Sequence, residues 1–204
     1  EFLPELLAGA PMVDRQSVAV VVCTRNGAAR IEACVESLLA SRHPIDEIVV
    51  VDDGSTDRTA ELVAKFERRG VRCLSIESAG LSAARNHGAM ATSSDWIAFT
   101  DDDCEVDADW IARLLDSAVA KQWDAAGGPN VTPPRDGEAS PAEEIVDHGV
   151  GTASAVLLDD SKAEHLPGCN FMVSRTAFDA VGGFRVVYKT AGDDVDICWR
   201  LLDR

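Results

Sequence analysis

The sequence predicts an α/β fold: a doubly wound, mostly parallel sheet with flanking helices, forming a single domain. Three observations predict it. Short β-branched runs such as Val18–Cys23 and Ile48–Val51, the latter within a strand Glu47–Val51, are apolar at every position, as expected of strands buried on both faces. Segments with apolar residues at helical spacing separate those runs, so residues 17–120 alternate strand and helix four times. Three of the strands run directly into polar clusters, which such sheets gather at one edge.

In order, residues 1–16 are a leader with no strong period, and Pro4–Leu7 could form a short helix. The first strand, Val18–Cys23, ends at Thr24-Arg25-Asn26-Gly27. A helix from about Ala28 to Ala40 sets Ile31, Val35, Leu38 and Leu39 on one side. The second strand ends at Asp52-Asp53-Gly54-Ser55-Thr56-Asp57. The second helix covers about Arg58–Arg69 and is closed by Gly70. Val71–Ile76 is the third strand, and Gly80 to Ala91 the third helix. Trp96–Thr100 is the fourth strand, which enters the carboxylates Asp101, Asp102 and Asp103. A fourth helix runs from about Asp109 to Val119.

Residues 121–204 read as a second half of the same domain. Ala125–Val131 suits a strand, and Pro129 to Pro141 an exposed loop. Ala142–Asp160 reads as a short helix followed by mobile chain. Leu166–Val173 suits a strand entered by a tight turn, and Arg175–Val181 a helix ended by Gly182-Gly183. Asp193–Arg204 has Val195, Cys198, Trp199 and Leu202 at helical spacing.

The chain has 204 residues and 46% hydrophobic content, enough for one substantial core. Its net charge of −16 argues against nucleic acid or an anionic membrane as the main partner. A phosphorylated ligand would need local help from Arg, Lys or a metal ion. No apolar run is long enough to span a membrane, and residues 1–13 lack the basic flank of a signal peptide. None of the six cysteines forms a C-x-x-C pair, so they read as small core residues in a reducing compartment.

Three adjacent carboxylates repel one another unless solvent or a cation answers them. A solvated loop capping the next helix explains Asp101–Asp103 equally well when the triplet is taken alone. The topology tips the balance, because it brings the triplet together with Asp52, Asp53 and the Cys23–Gly27 segment. Asp101 and Asp103 flank one residue and could both face Mg²⁺ or Mn²⁺, whose remaining coordination goes to water and substrate phosphates. Asp52 and Asp53 could accept hydrogen bonds from a base or ribose. Asp194 is a candidate general base, although capping alone explains an acid at a helix start. The sequence has no G-x-G-x-x-G after the first strand, no P-loop and no G-x-S-x-G.

The ordered segments V-V-V-C-T-R-N, V-V-V-D-D-G-S-T-D, G-L-S-A-A-R-N-H-G, F-T-D-D-D-C, G-C-N-F-M-V-S-R, G-G-F and G-D-D-V-D-I-C-W-R resemble the family-2 glycosyltransferases of the GT-A fold. The resemblance covers about residues 17–204. It implies an inverting transfer from a nucleotide-sugar, a UDP-sugar first among them, to a hydroxyl acceptor. It also implies that Asp103 is the direct metal ligand with Asp101 its partner, and that Asp102 serves the ribose. Cys23, Thr24, Arg25, Asp52, Asp53 and Arg85 would surround the nucleotide. Asp193 and Asp194 match the acid pair of the family, usually Glu-Asp, with Asp194 as base. Gly168, Cys169 and Asn170, with Gly182-Gly183-Phe184, would line the acceptor side.

A cytoplasmic protein, peripheral to the inner face of the membrane at most, is expected, and a homodimer stays open. Two alternatives remain at this level: a nucleotidyltransferase of related architecture, and a non-catalytic module that binds nucleotide-sugars. The first would call for a Gly-rich basic loop after the first strand, which residues 24–28 do not supply.

Overall fold

The computed structural model describes residues 15–128, 130 and 166–204. Residues 1–14 of the leader, with the short helix expected at Pro4–Leu7, and the segment 131–165, with the helix and mobile chain expected there, lie outside the described residues.

Four parallel strands form one side and the middle of the sheet: β1 (Val18–Thr24), β2 (Glu47–Asp53), β3 (Val71–Ile76) and β4 (Trp96–Asp101). Two short strands, β5 (Ala125–Gly127) and β6 (Phe171–Ser174), complete it in the order β3-β2-β1-β4-β6-β5. β6 is antiparallel to both of its neighbours, so the sheet is mixed at one side. All seven residues of β1 are buried, as the uninterrupted apolar run requires of a central strand.

The helices are α1 (Ile31–Leu39), α2 (Thr59–Ala64), α3 (Leu81–Met90), α4 (Trp110–Lys121), α5 (Arg175–Val181) and α6 (Asp193–Leu202). Alternation along the strands sorts them into two layers. Val18, Val20, Val22, Ile48 and Val50 pack with α1, α2 and α4 on one face. Val21, Val49, Val51, Ile97 and Phe99 pack with α3, α5 and α6 on the other.

Two helices are shorter than the sequence suggested. α1 begins at Ile31 because residues 28–30 form turns, and α2 ends at Ala64. A 3₁₀ turn, Glu67–Arg69, closes the second helical segment before Gly70, whose φ of 90° suits only glycine comfortably. The strand expected over Leu166–Val173 is confined to its second half, because residues 168–170 form the turn that enters it.

The topology changes direction between β1 and β4. From β1 the chain steps outward through β2 and β3, then returns across the other face by α3 to place β4 beside β1. Cys23 is in register with Asp101, and Thr24 with Asp52, so three polar strand ends meet at one edge. A crevice at this switch point is where such sheets bind ligands.

Candidate active site

The crevice is a cleft of about 600 Å³. Cys23, Thr24, Arg25, Asp53, Asp101, Asp102 and Asp103 line it. Asp52, Arg85, Gly168, Asn170, Asp193 and Asp194 are candidates that stand outside this lining. The Arg85–Asp101 hydrogen bond joins the two sets, and Asp193 follows through Arg85.

The Asp triplet is three different environments. Asp101 accepts a hydrogen bond from Arg85 Nη2 at 3.1 Å. Burial raises its pKa from 3.8, although Arg85 opposes the shift. Asp102 is 7% exposed, takes the Thr24 hydroxyl at 2.5 Å and is gripped by the Arg30 guanidinium at 3.1–3.3 Å. Asp103 is exposed, and its only side-chain partner among the described residues is the neighbouring Cys104 thiol at 3.6 Å. Two hard carboxylates therefore remain at the cleft surface, Asp101 by the oxygen that Arg85 leaves free and Asp103 by the oxygen that the Cys104 thiol leaves free. That donor set fits a magnesium or manganese ion whose coordination is completed by phosphate and water.

Gly27 lets Asp102 sit where it does. A Cβ at this position would overlap both the Asp102 carboxylate and the Thr24 hydroxyl.

The two acids at the end of β2 face apart. Asp52 accepts from Ser55 N–H at 2.8 Å and closes its own turn. Asp53 spends one oxygen on Ala79 N–H, at 2.6 Å, and the other on Gly80 N–H, at 3.0 Å. It thereby pins the segment entering α3, and Ser78, Ala79 and Gly80 become part of the cleft wall. The loop before α6 closes the same wall. Leu81 N–H donates to Lys189 O at 2.9 Å, and the Ser82 hydroxyl to Tyr188 O at 2.5 Å. Lys189 and Thr190 reach the cleft by that route.

Arg85, expected beside the nucleoside, is 3% exposed and turned inward. Besides Asp101 it meets Asp193 Oδ2 at 2.6 Å, and its guanidinium lies 5.4 Å from the Phe184 ring centroid. Burial weighs against its charge, but Asp193 and Asp101 outweigh that and raise its pKa. Phe184, expected to face the acceptor, is 2% exposed and packs in an aromatic cluster with Phe99, Phe171 and Phe178. The four rings are too apolar to leave in water, and β4, β6 and α5 supply the surface that hides them.

Asp194 is partly exposed at the start of α6. Its Oδ2 accepts Gly168 N–H at 3.1 Å, and its Oδ1 the Val195 N–H at 2.9 Å. Asn170 accepts from the Trp110 indole at 2.8 Å, so it ties the 168–170 turn to α4.

Three of the cysteines are held as thiols by burial. Burial pushes Cys23 and Cys34 up to about 12 and Cys198 up to about 11, and all six cysteines are free.

Arg30, Lys189 and the 78–80 segment escaped the sequence reading. Arg30 looks like any surface arginine before a helix, and only the fold brings it to Asp102. Arg85 did carry a signal: it lies among Ser82, Ala84, Gly88 and Ala89, small residues that bring α3 close to the sheet. An arginine on such a face needs buried acids.

A mixed α/β sheet with its polar strand ends gathered around a carboxylate cleft is the architecture of the GT-A fold, and solved structures share it. The fold is similar to TarS of S. aureus, with a TM-score of 0.70, 20% identity, and coverage of 91% of this chain and 55% of that one. It is also similar to a mannosyltransferase from Pyrobaculum calidifontis, solved with GDP-Man and Mn²⁺, with a TM-score of 0.68, 20% identity, and coverage of 93% and 52%.

The sequence profile of glycosyl transferase family 2 matches residues 19–182, and the chain belongs to that family. A pre-mycofactocin glycosyltransferase of Mycobacterium tuberculosis is 32% identical over 201 residues, which is 92% of this chain and 39% of that protein. The chain thus spans well under half the length of that relative. No helix among the described residues is long and apolar enough to cross a membrane.

Proposed function

We propose that the protein transfers a sugar, with inversion, from a nucleotide-diphosphate donor to an acceptor hydroxyl with the help of a divalent metal. The observation that carries this reading is the cleft itself. It joins the free carboxylate oxygens of Asp101 and Asp103 to the Thr24–Arg25 segment in a pocket sized for a nucleotide. TarS has also been solved with UDP-GlcNAc, which supports a UDP-sugar as the first donor to try.

In this reading Asp103 and Asp101 hold Mg²⁺ or Mn²⁺. When bound, the ion neutralises the donor diphosphate, which an acidic cleft would otherwise repel. The nucleoside lies along Cys23, Thr24, Arg25 and Asp53, with Asp102 toward the ribose. Asp52 supports the same loop. Arg25 forms no ion pair among the described residues, so it is available to the nucleotide. Asp194 removes the acceptor proton as the hydroxyl oxygen attacks the anomeric carbon. The nucleoside diphosphate leaves from the opposite face. The Gly168 N–H bond fixes the Asp194 carboxylate and leaves lone pairs for the incoming hydroxyl. Gly168 and Asn170 belong to the acceptor side, where they shape the turn rather than contact the donor.

The test is a panel of nucleotide-sugars, beginning with UDP-N-acetylglucosamine and GDP-mannose, incubated with and without Mn²⁺. The reading predicts metal-dependent release of nucleoside diphosphate. Release of pyrophosphate would indicate nucleotidyl transfer instead. Donor binding without turnover would indicate a non-catalytic module.

A further inference from the structure

Resting on the proposed transferase reading, we infer that Arg85 and Asp193 are positioning residues. They form a buried clasp that sets the metal-motif carboxylate Asp101 and the base Asp194 relative to each other. Neither member of the clasp contacts donor or acceptor in this account.

The geometry is specific. Arg85 and Asp193 have side-chain exposures of 3% and 2%, and their 2.6 Å contact is a charge-assisted hydrogen bond shielded from water. The second arm of the same guanidinium reaches Asp101 at 3.1 Å. One planar cation thus ties α3, the end of β4 and the start of α6 together. The plane is fixed from two further sides. Phe184 lies under it at 5.4 Å, and Gly168 lies so close that an added Cβ would come within 2.7 Å of both Nη atoms.

Gly168 completes the link. Its N–H holds Asp194 Oδ2, and its Cα packs against Arg85. Asp194 follows Asp193 directly in α6. Displacing Arg85 would therefore move Asp194 by two paths, through Asp193 along the helix and through Gly168 across the turn. Lysine keeps the charge but offers one ammonium point in place of a planar fork, so it cannot hold Asp193 and Asp101 at once in this geometry.

Each terminal nitrogen of Arg85 donates to a carboxylate, and the residue stands outside the cleft lining, so its part in this account is to hold those carboxylates.

The test compares the wild-type protein with Arg85→Lys and with the double variant Arg85→Met/Asp193→Asn. The double variant removes the clasp without leaving a buried unpaired carboxylate at position 193. Three readouts are taken: thermal melting, steady-state hydrolysis of UDP-N-acetylglucosamine or GDP-mannose with Mn²⁺, and amide exchange of residues 166–170. The clasp predicts that Arg85→Lys stays folded, loses at least tenfold in kcat and keeps the donor KM within about threefold. Exchange at Gly168 accelerates in both variants, independently of turnover.

Wild-type kcat in Arg85→Lys, or unchanged exchange at Gly168, would overturn the inference. A tenfold rise in KM at unchanged kcat would also overturn it, in favour of direct donor contact. If the wild-type protein itself neither binds UDP with Mn²⁺ nor turns over either donor, the transferase reading fails first. That outcome is distinguishable from failure of the clasp alone.

Discussion

Two arginines enter the Asp triplet, and they do so from opposite worlds. Arg85 approaches Asp101 from inside, 3% exposed, with the buried Asp193 on its other arm. Arg30 approaches Asp102 from outside, with 46% of its side chain in water and a partner only 10% exposed. The chemistry is the same guanidinium–carboxylate pairing. Burial changes what each pair is worth and how it fails. A buried pair gains little over an apolar substitute, but breaking it strands a charge in a poor solvent. An exposed pair is screened, and water answers whichever partner is left. The inner arginine is therefore part of the frame of the site, and the outer one a replaceable brace.

The largest effect separates the two directly. Arg85→Met should cost about 3–5 kcal/mol in denaturant unfolding, because Asp193 is left buried and unpaired. A cost near that of Arg30→Ala would mean that water reaches Asp193 and that the inner pair is not sealed. Next is Gly27→Ala, which forces a methyl into the Asp102 carboxylate and the Thr24 hydroxyl. Overpacking of this kind costs about 1–3 kcal/mol, and it should weaken UDP binding in a calorimetric titration. Arg30→Ala should cost about 1 kcal/mol or less, because Thr24 still holds Asp102. Its unfolding midpoint should move little.

Acid sharpens the comparison in another way. Asp101 has its pKa raised above 3.8, burial being the main cause, so it protonates early as the pH falls. Asp95 has its pKa lowered by hydrogen bonds from the Ser17 N–H and hydroxyl. A lowered carboxylate stabilises the fold above its unfolded value of 3.8, and the benefit disappears as the pH falls through the folded value. In the metal-free protein Asp101 should therefore take up its proton at a higher pH than Asp95, while the Asp95 clamp is still intact. A carboxylate NMR titration of the metal-free protein checks the order. Protonation of Asp95 before Asp101 would contradict it.

The sequence reading was strongest where chemistry is local. β1 is apolar at six of its seven positions and β2 at its four central ones, Ile48–Val51, and a strand buried on both faces hides such runs most simply. The clusters at Thr24, Asp53 and Asp101–Asp103 followed from strand ends and topology. The resemblance to family 2 of the glycosyltransferases is confirmed by the family match and by the fold of the solved relatives. Contacts across long sequence separations were not readable. The Arg30–Asp102 pair joins residues 72 apart, and Arg85–Asp193 residues 108 apart. Nothing in the composition around Phe184 told a cleft wall from a core ring. Its burial follows from three other phenylalanines that converge on it from β4, β6 and α5. The structure gives Asp193 and Asp194 different partners: Arg85 for the first, the backbone N–H groups of Gly168 and Val195 for the second.

The central claim is that the cleft binds a nucleoside diphosphate through a metal held at Asp103 and Asp101. Its most direct test is calorimetric titration of UDP into the wild-type protein and into Asp103→Ala, each with and without Mn²⁺. The account predicts metal-dependent binding by the wild type and at least tenfold weaker binding by the variant. Equal, metal-independent binding by both proteins would contradict it.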